Sequence, residues 1–201
     1  MAYYYLIAQL PYLYYEQKPP MTCEDFKTLA KPLMSKDDFE ILRNITLNPK
    51  DNSVDNPDDP KAKAQNKSAG CSFLDNWYNW DRTLRLELAK QRAVKLKREK
   101  PADESGYQVD AVSAASKAMD ESSPLDGEIL LDKARWNAID EIAGNNHFHR
   151  NSVFAYYLKL LLMERKQTFN AEKGFAEYKS LYASIVDSVQ NESVLNAGDQ
   201  Q

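Results

Sequence analysis

Glycine is scarce in this chain, with 6 in 201 residues. Gly-rich phosphate loops and many-stranded all-β folds both need more, so neither fits. Cysteine is nearly absent, with Cys23 and Cys71 alone. Two cysteines do not make a disulfide-stapled secreted scaffold, and reduced thiols in a cytoplasmic protein are expected. Long hydrophobic runs are missing too. The longest apolar-rich stretch, Val153–Met163, is interrupted by Lys159. A spanning helix needs about 20 apolar residues, so direct membrane insertion is not expected. Met1–Leu10 has neither a positively charged start nor a small-residue cleavage site, so it does not read as a signal peptide. No excess of one charge sign runs through the chain, whose net charge is −4. That gives no general expectation of nucleic-acid binding.

What is present is ordinary globular material: 43% hydrophobic and 28% charged residues. The reading is a single helical domain over residues 1–190, a flexible linker at 48–70, and a disordered tail at 191–201. Six tyrosines crowd the stretch 3–15: Tyr3, Tyr4, Tyr5, Tyr12, Tyr14 and Tyr15. Either a short strand or a helix ending before Pro11, buried on more than one side, fits there, with the helix preferred. Thr22 reads as an N-cap with Glu24 and Asp25 in the first turn. Phe26, Leu29, Ala30 and Leu33 continue at helical spacing. Ser35 opens a second helix reaching about Leu47. Residues 48–70 carry Pro49, Pro57, Pro60 and several Asn and Asp, a composition that suits solvent.

A long helix is predicted from Ser72 to Glu99, followed by a break with Pro101 and Gly106 and a weak Ala/Ser-rich helix over 108–121. Ser123, Pro124 and Asp126 read as N-cap, proline at N1 and an acid at N3. That helix runs to a stop at Gly144. The helix from Asn151 to Phe169 is apolar nearly all round and should be the most buried. The last helix starts near Asn170. Phe175, Tyr178, Tyr182, Ile185 and Val189 recur in 3-4-3-4 spacing, which suits a packed hairpin or a short coiled-coil seam. Strand-type alternation is weak throughout. The fold class read from this is all-α: a helical bundle with one long central helix and a C-terminal helical hairpin.

The long helix carries the clearest change of character. Phe73, Trp77, Trp80, Leu84 and Leu88 lie within about 80° on a wheel of 100° per residue. The same stripe then reaches Gln91, Lys95 and Arg98. Between Arg82 and Lys100 stand eight basic and two acidic side chains, so that segment is +6 and the rest of the chain −10. A cationic helix end suits the helix dipole, and it also suits docking on an acidic partner. Arg82, Arg85, Arg92, Lys95, Lys97 and Arg98 are the candidate interface residues. The two tryptophans sit on the apolar stripe away from these cations, which argues against stacking of nucleic-acid bases.

No residue set reads as catalytic, and no cofactor or metal is expected. His147-Phe148-His149 has too few ligands nearby and reads as polar loop histidines. Asp37-Asp38 and Asp58-Asp59 are adjacent in sequence and do not face each other across a cleft. Cys23 lies near a helix start, which is weak grounds for reactivity.

The order of motifs resembles an uncharacterised bacterial family encoded among V-type (V/A-type) ATPase genes. The matching stretches are Tyr3–Leu13 (YYYLIAQLPYL), Lys18–Phe26 (KPPMTCEDF), Trp77–Glu99 (WYNWDRTLRLELAKQRAVKLKRE), Ala134–Gly144 (ARWNAIDEIAG) and Leu160–Gly174 (LLLMERKQTFNAEKG). That family looks like a reduced relative of the C/d subunit of rotary ATPases. The resemblance implies an all-helical, non-catalytic subunit or assembly factor. Its partners would be the central-stalk subunits or the membrane ring, and its place would be cytoplasmic, peripheral to the membrane through a complex. Read from the residues alone, the alternative is a stand-alone helical adaptor or RNA-binding protein that uses the basic helix end.

Overall fold

The computed structural model describes residues 2–47, 70–101, 108–169 and 174–186. The expected linker at 48–70, apart from Gly70, and the expected tail at 191–201 lie outside them. Among the described residues the fold is all-helical. The elements are α1 (Tyr4–Gln9), α2 (Cys23–Ala30), α3 (Lys36–Arg43), α4 (Ser72–Lys95), α5 (Val109–Asp120), α6 (Pro124–Ala143) and α7 (Arg150–Thr168). An eighth helix, α8, spans 174–186. The chain divides into two compact units, Met1–Glu164 and Arg165–Gln201.

The helix starts follow local chemistry. The Thr22 hydroxyl accepts the Asp25 amide while the Asp25 carboxylate accepts the Thr22 amide, closing a reciprocal cap on α2. Ser35 caps α3 through the Asp38 amide, and Ser123 caps α6 through Asp126, with Pro124 in the first turn. Gly144 ends α6 at φ 68°, a backbone angle that costs glycine nothing.

In the first unit, α4, α5 and α6 pack on one another. Phe73, Trp77, Trp80, Leu84 and Leu88 of α4 are all buried, as the stripe predicts. α7 buries Val153, Phe154, Ala155, Tyr157, Leu158, Leu160, Leu162 and Met163, most of the stretch from Val153 to Met163, so this stretch lies in the core. Phe26 of α2 stacks on Tyr156 and Tyr157 of α7, with ring centroids 5.4 and 5.5 Å apart. Gly127 lies where α6 crosses the end of α5. A Cβ there would stand 2.9 Å from the Ala118 carbonyl oxygen, so this approach requires glycine.

Two expectations change here. The N-terminal helix forms and stops before Pro11, yet it is buried on one side. Tyr3 and Leu6 enter the core, while Tyr4 and Tyr5 are 62% and 70% exposed. Tyrosine pairs an apolar ring with a polar tip, so a run of tyrosines that looks apolar all round can still face water.

The long helix ends at Lys95, four residues before the expected Glu99. Lys97 takes φ 53°, the left-handed region. Its amide donates to the Val94 carbonyl at 3.1 Å, and the Arg98 amide donates to the Ala93 carbonyl at 2.8 Å. This is a Schellman closure made without glycine. Arg98 therefore leaves the helical stripe, and Lys97 and Lys100 lie beyond the helix. Lys97→Gly should raise stability by about 0.5–1 kcal/mol, because glycine adopts this angle without the Cβ penalty. Urea unfolding followed by circular dichroism checks it. No gain would mean the turn already relaxes at no cost.

Candidate docking surfaces

The six candidate cations occupy distinct settings. Arg85 is half-buried. Its Nε donates to Asp81 Oδ2 at 2.8 Å, and its Nη2 reaches both that carboxylate and the Leu47 carbonyl, the latter at 3.1 Å. Lys95 donates to the Met119 carbonyl at the end of α5, where a cation meets the negative end of the helix dipole. Arg82 is exposed on the helix, beside the buried Asp81. Arg92, Lys97 and Arg98 are exposed together at and beyond the end of α4. Lys90, in the same segment, pairs with Glu87 at 2.7 Å. The structure thus divides the basic segment. Arg85 and the exposed Lys95 each donate to a backbone carbonyl of another segment, and Arg92, Lys97 and Arg98 are exposed at and just beyond the end of α4.

Below this surface lies an ion network that spacing alone does not reveal. Asp81 of α4 is 2% exposed, and Asp132 and Arg135 of α6 are 1% and 8% exposed. Arg135 donates from Nε to Asp81 Oδ1 at 3.0 Å and from Nη1 to Asp132 Oδ1 at 2.9 Å. Burial alone would favour the neutral guanidine. The attraction of Asp81 and Asp132 outweighs it and holds Arg135 above its ordinary value, fully charged. The network ties α4 to α6 and fixes the root of the basic segment. Asp132 and Arg135 are three apart on one helix and could be read as a local pair. Asp81 is 54 positions from Arg135, and nothing in the sequence pairs them.

A third buried carboxylate joins α3, α7 and the N-terminal segment. Asp38 accepts from the Tyr3 hydroxyl, from Arg150 Nη1 at 3.2 Å, and shares Ser35 as a neighbour. Burial would raise the Asp38 carboxyl. The hydrogen bonds from Tyr3, Arg150 and Ser35 overcome that and hold it below its usual range. Tyr3 moves up, first because it is buried and next because Asp38 faces it. The Cys23 thiol is likewise pushed up, by burial and then by Glu164, so it stays protonated. Burial raises Tyr156 to about 12, and its hydroxyl donates to the Pro11 carbonyl at 2.9 Å.

The N-terminal segment forms an aromatic surface on the first unit. Tyr4 and Phe148 lie 4.7 Å apart between centroids, and the Tyr3 amide donates to the Phe148 carbonyl at 2.7 Å. His147-Phe148-His149 is therefore a turn that pins the N-terminus. Tyr15 packs edge-on against Trp136 at 5.6 Å, and Lys159 lies 4.6 Å over the same indole. Tyr12 and Tyr14 are 77% and 55% exposed. Tyr5 borders a shallow groove of about 500 Å³ with Gln9, Asp25, Thr28, Leu29, Pro32 and Leu33. A polar groove of about 370 Å³ lies among Trp80, Gln108, Asp110 and Glu141. No group of three His, Cys, Asp or Glu that could hold a metal ion occurs among the described residues. No described helix is long and apolar enough to cross a membrane.

Residues 108–193 match the model of a family described as "Protein of unknown function (DUF2764)". The chain is similar to that family over α5, α6, α7 and α8, a little under half its length. No curated protein and no solved structure matches it.

Proposed function

We propose that this protein is a non-catalytic docking subunit, or an assembly or coupling factor, of a V/A-type rotary ATPase, related to the C/d subunit of the central stalk. The partners are the stalk subunits or the membrane ring, and the protein would sit peripheral to the membrane through that complex. The resemblance of the quoted motifs supplies the identity of the partner. The surface supports the mode of binding: Arg92, Lys97 and Arg98 are exposed at and just beyond the helix end, while Arg85 and Lys95 each donate to groups of the fold. Exposed cations at a helix end and in the turn that follows it suit an acidic protein face, and such complementarity acts on encounter rate and specificity. The burial of Trp77 and Trp80 favours an acidic protein over single-stranded nucleic acid, because no indole stands beside these cations for a base to stack on.

The test is a gentle-extraction pull-down from the native organism with the tagged full-length chain, read by mass spectrometry. ATPase stalk or ring subunits should be enriched. The double reversal Arg92→Glu/Arg98→Glu should lower recovery about tenfold, equivalent to about 1.4 kcal/mol, with unchanged helicity and melting temperature. Added salt should weaken wild-type recovery in the same direction. Absence of every ATPase subunit from the wild-type sample would remove the ATPase reading. Full recovery with the double variant would remove the basic cluster as the interface.

A further inference from the structure

The α8 helix carries an apolar face that the docking reading does not use. Phe175, Tyr178, Leu181, Tyr182 and Ile185 are 59%, 62%, 64%, 60% and 59% exposed. At 100° per residue they fall within about 120° of one another, the width of a stripe that normally faces a core. The helix spans residues 174–186, and a free helix of that length is marginal in water. A large apolar face on a short helix needs a covering surface.

We propose that α8 is a self-association element that pairs two copies of this chain through this face. Three observations favour a second copy as the occupant. The first is area. Aromatic side chains bury about 150–250 Å² each, so the face offers on the order of 600 Å², and two faces about 1,200 Å². That reaches the lower bound of stable specific interfaces, about 1,200–2,000 Å². The second is spacing. Positions 175, 178, 182 and 185 are separated by 3, 4 and 3, which reads the same in both directions. A two-fold axis near Ser180 sets Phe175 against Ile185 and Tyr178 against Tyr182 of an antiparallel partner. The third is charge. Glu177 and Lys179 are the charged residues of 174–186 and cancel, so two copies do not repel. The polar face has no row of cations, which separates it from helices that lie on anionic membranes. Lys179 Nζ lies 4.6 Å from the Phe175 ring centroid and would stay at the rim of the pair. The proposal goes beyond the ATPase reading and does not rest on it.

Sedimentation velocity of the full-length chain, from about 1 to about 200 µM, tests it. The weight-average mass should rise from the 23.0 kDa monomer toward twice that value. Tyr178→Glu/Tyr182→Glu should hold the chain at monomer mass across the range, with the tertiary circular dichroism of the first unit unchanged. Ser180→Glu, on the opposite side of the helix, should dimerise as the wild type does. A wild type that stays monomeric at every concentration overturns the proposal, whether another protein or the chain itself covers the face. Dimers that persist in the double-Glu variant, or that vanish equally with Ser180→Glu, also overturn it.

Discussion

Asp81→Ala should lower the folding stability of the first unit by about 3–5 kcal/mol, the range for breaking one partner out of a buried ion network. Asp81 is 2% exposed and accepts from two guanidinium groups, Arg135 at 3.0 Å and Arg85 at 2.8 Å. Arg135 cannot shed its charge, so the variant leaves a buried cation with Asp132 alone to balance it. Arg85 would at the same time lose the anchor that holds it against the Leu47 carbonyl. Asp81→Asn keeps the shape and one acceptor, so it should lose less than the alanine variant. For a unit of this size the alanine change corresponds to a fall on the order of 10 °C in melting temperature. Urea unfolding of both variants decides the matter. A loss below about 1 kcal/mol for Asp81→Ala would show that water repairs the site and that the network is not truly buried. Loss of the network should also loosen the end of α4, so partner recovery by this variant should fall along with its stability.

Trp77→Ala should cost a similar amount, about 3–5 kcal/mol, through lost burial and the cavity left behind. Trp77 is fully buried, and its ring lies 5.8 Å from Trp80 in a near-parallel stack. Among the described residues its indole nitrogen has no hydrogen-bond partner. A buried N–H without a partner costs about 1–3 kcal/mol. Trp77→Phe removes the N–H together with part of the ring, so the two effects offset. The expected loss for phenylalanine is about 1 kcal/mol or less. A phenylalanine loss as large as the alanine loss in the same urea experiment would show that removing the N–H offsets nothing.

Much of the fold was legible because it depends on short spacings. Thr22 with Asp25, Ser35, and Ser123 with Pro124 and Asp126 each satisfy amides within one turn, so the helix starts follow from neighbours in sequence. The Phe73-to-Leu88 stripe and the apolar run of α7 predict burial for the same reason. The end of α4 was less legible. Lys95 to Lys100 are mostly good helix formers, and no glycine marks the stop, yet backbone closure at Lys97 ends the helix there. The exposed tyrosines escaped because hydropathy does not distinguish a ring that faces water at its tip from one that lies in a core.

The candidate site shows the same division. Its location, the basic end of the long helix, came from a local count of charge. Its membership did not. Whether a cation is available to a partner depends on which distant group has already taken it: Asp81 and the Leu47 carbonyl for Arg85, and the Met119 carbonyl for Lys95. The sequence by itself determined the helical class, the cap residues and the basic segment, since each rests on contacts within a few positions. Tertiary structure alone decided the Asp81–Arg135 pairing, the Tyr3–Asp38–Arg150 cluster and the exposure of Arg92, Lys97 and Arg98. Those depend on which helices meet, and packing brings together groups that no periodicity links.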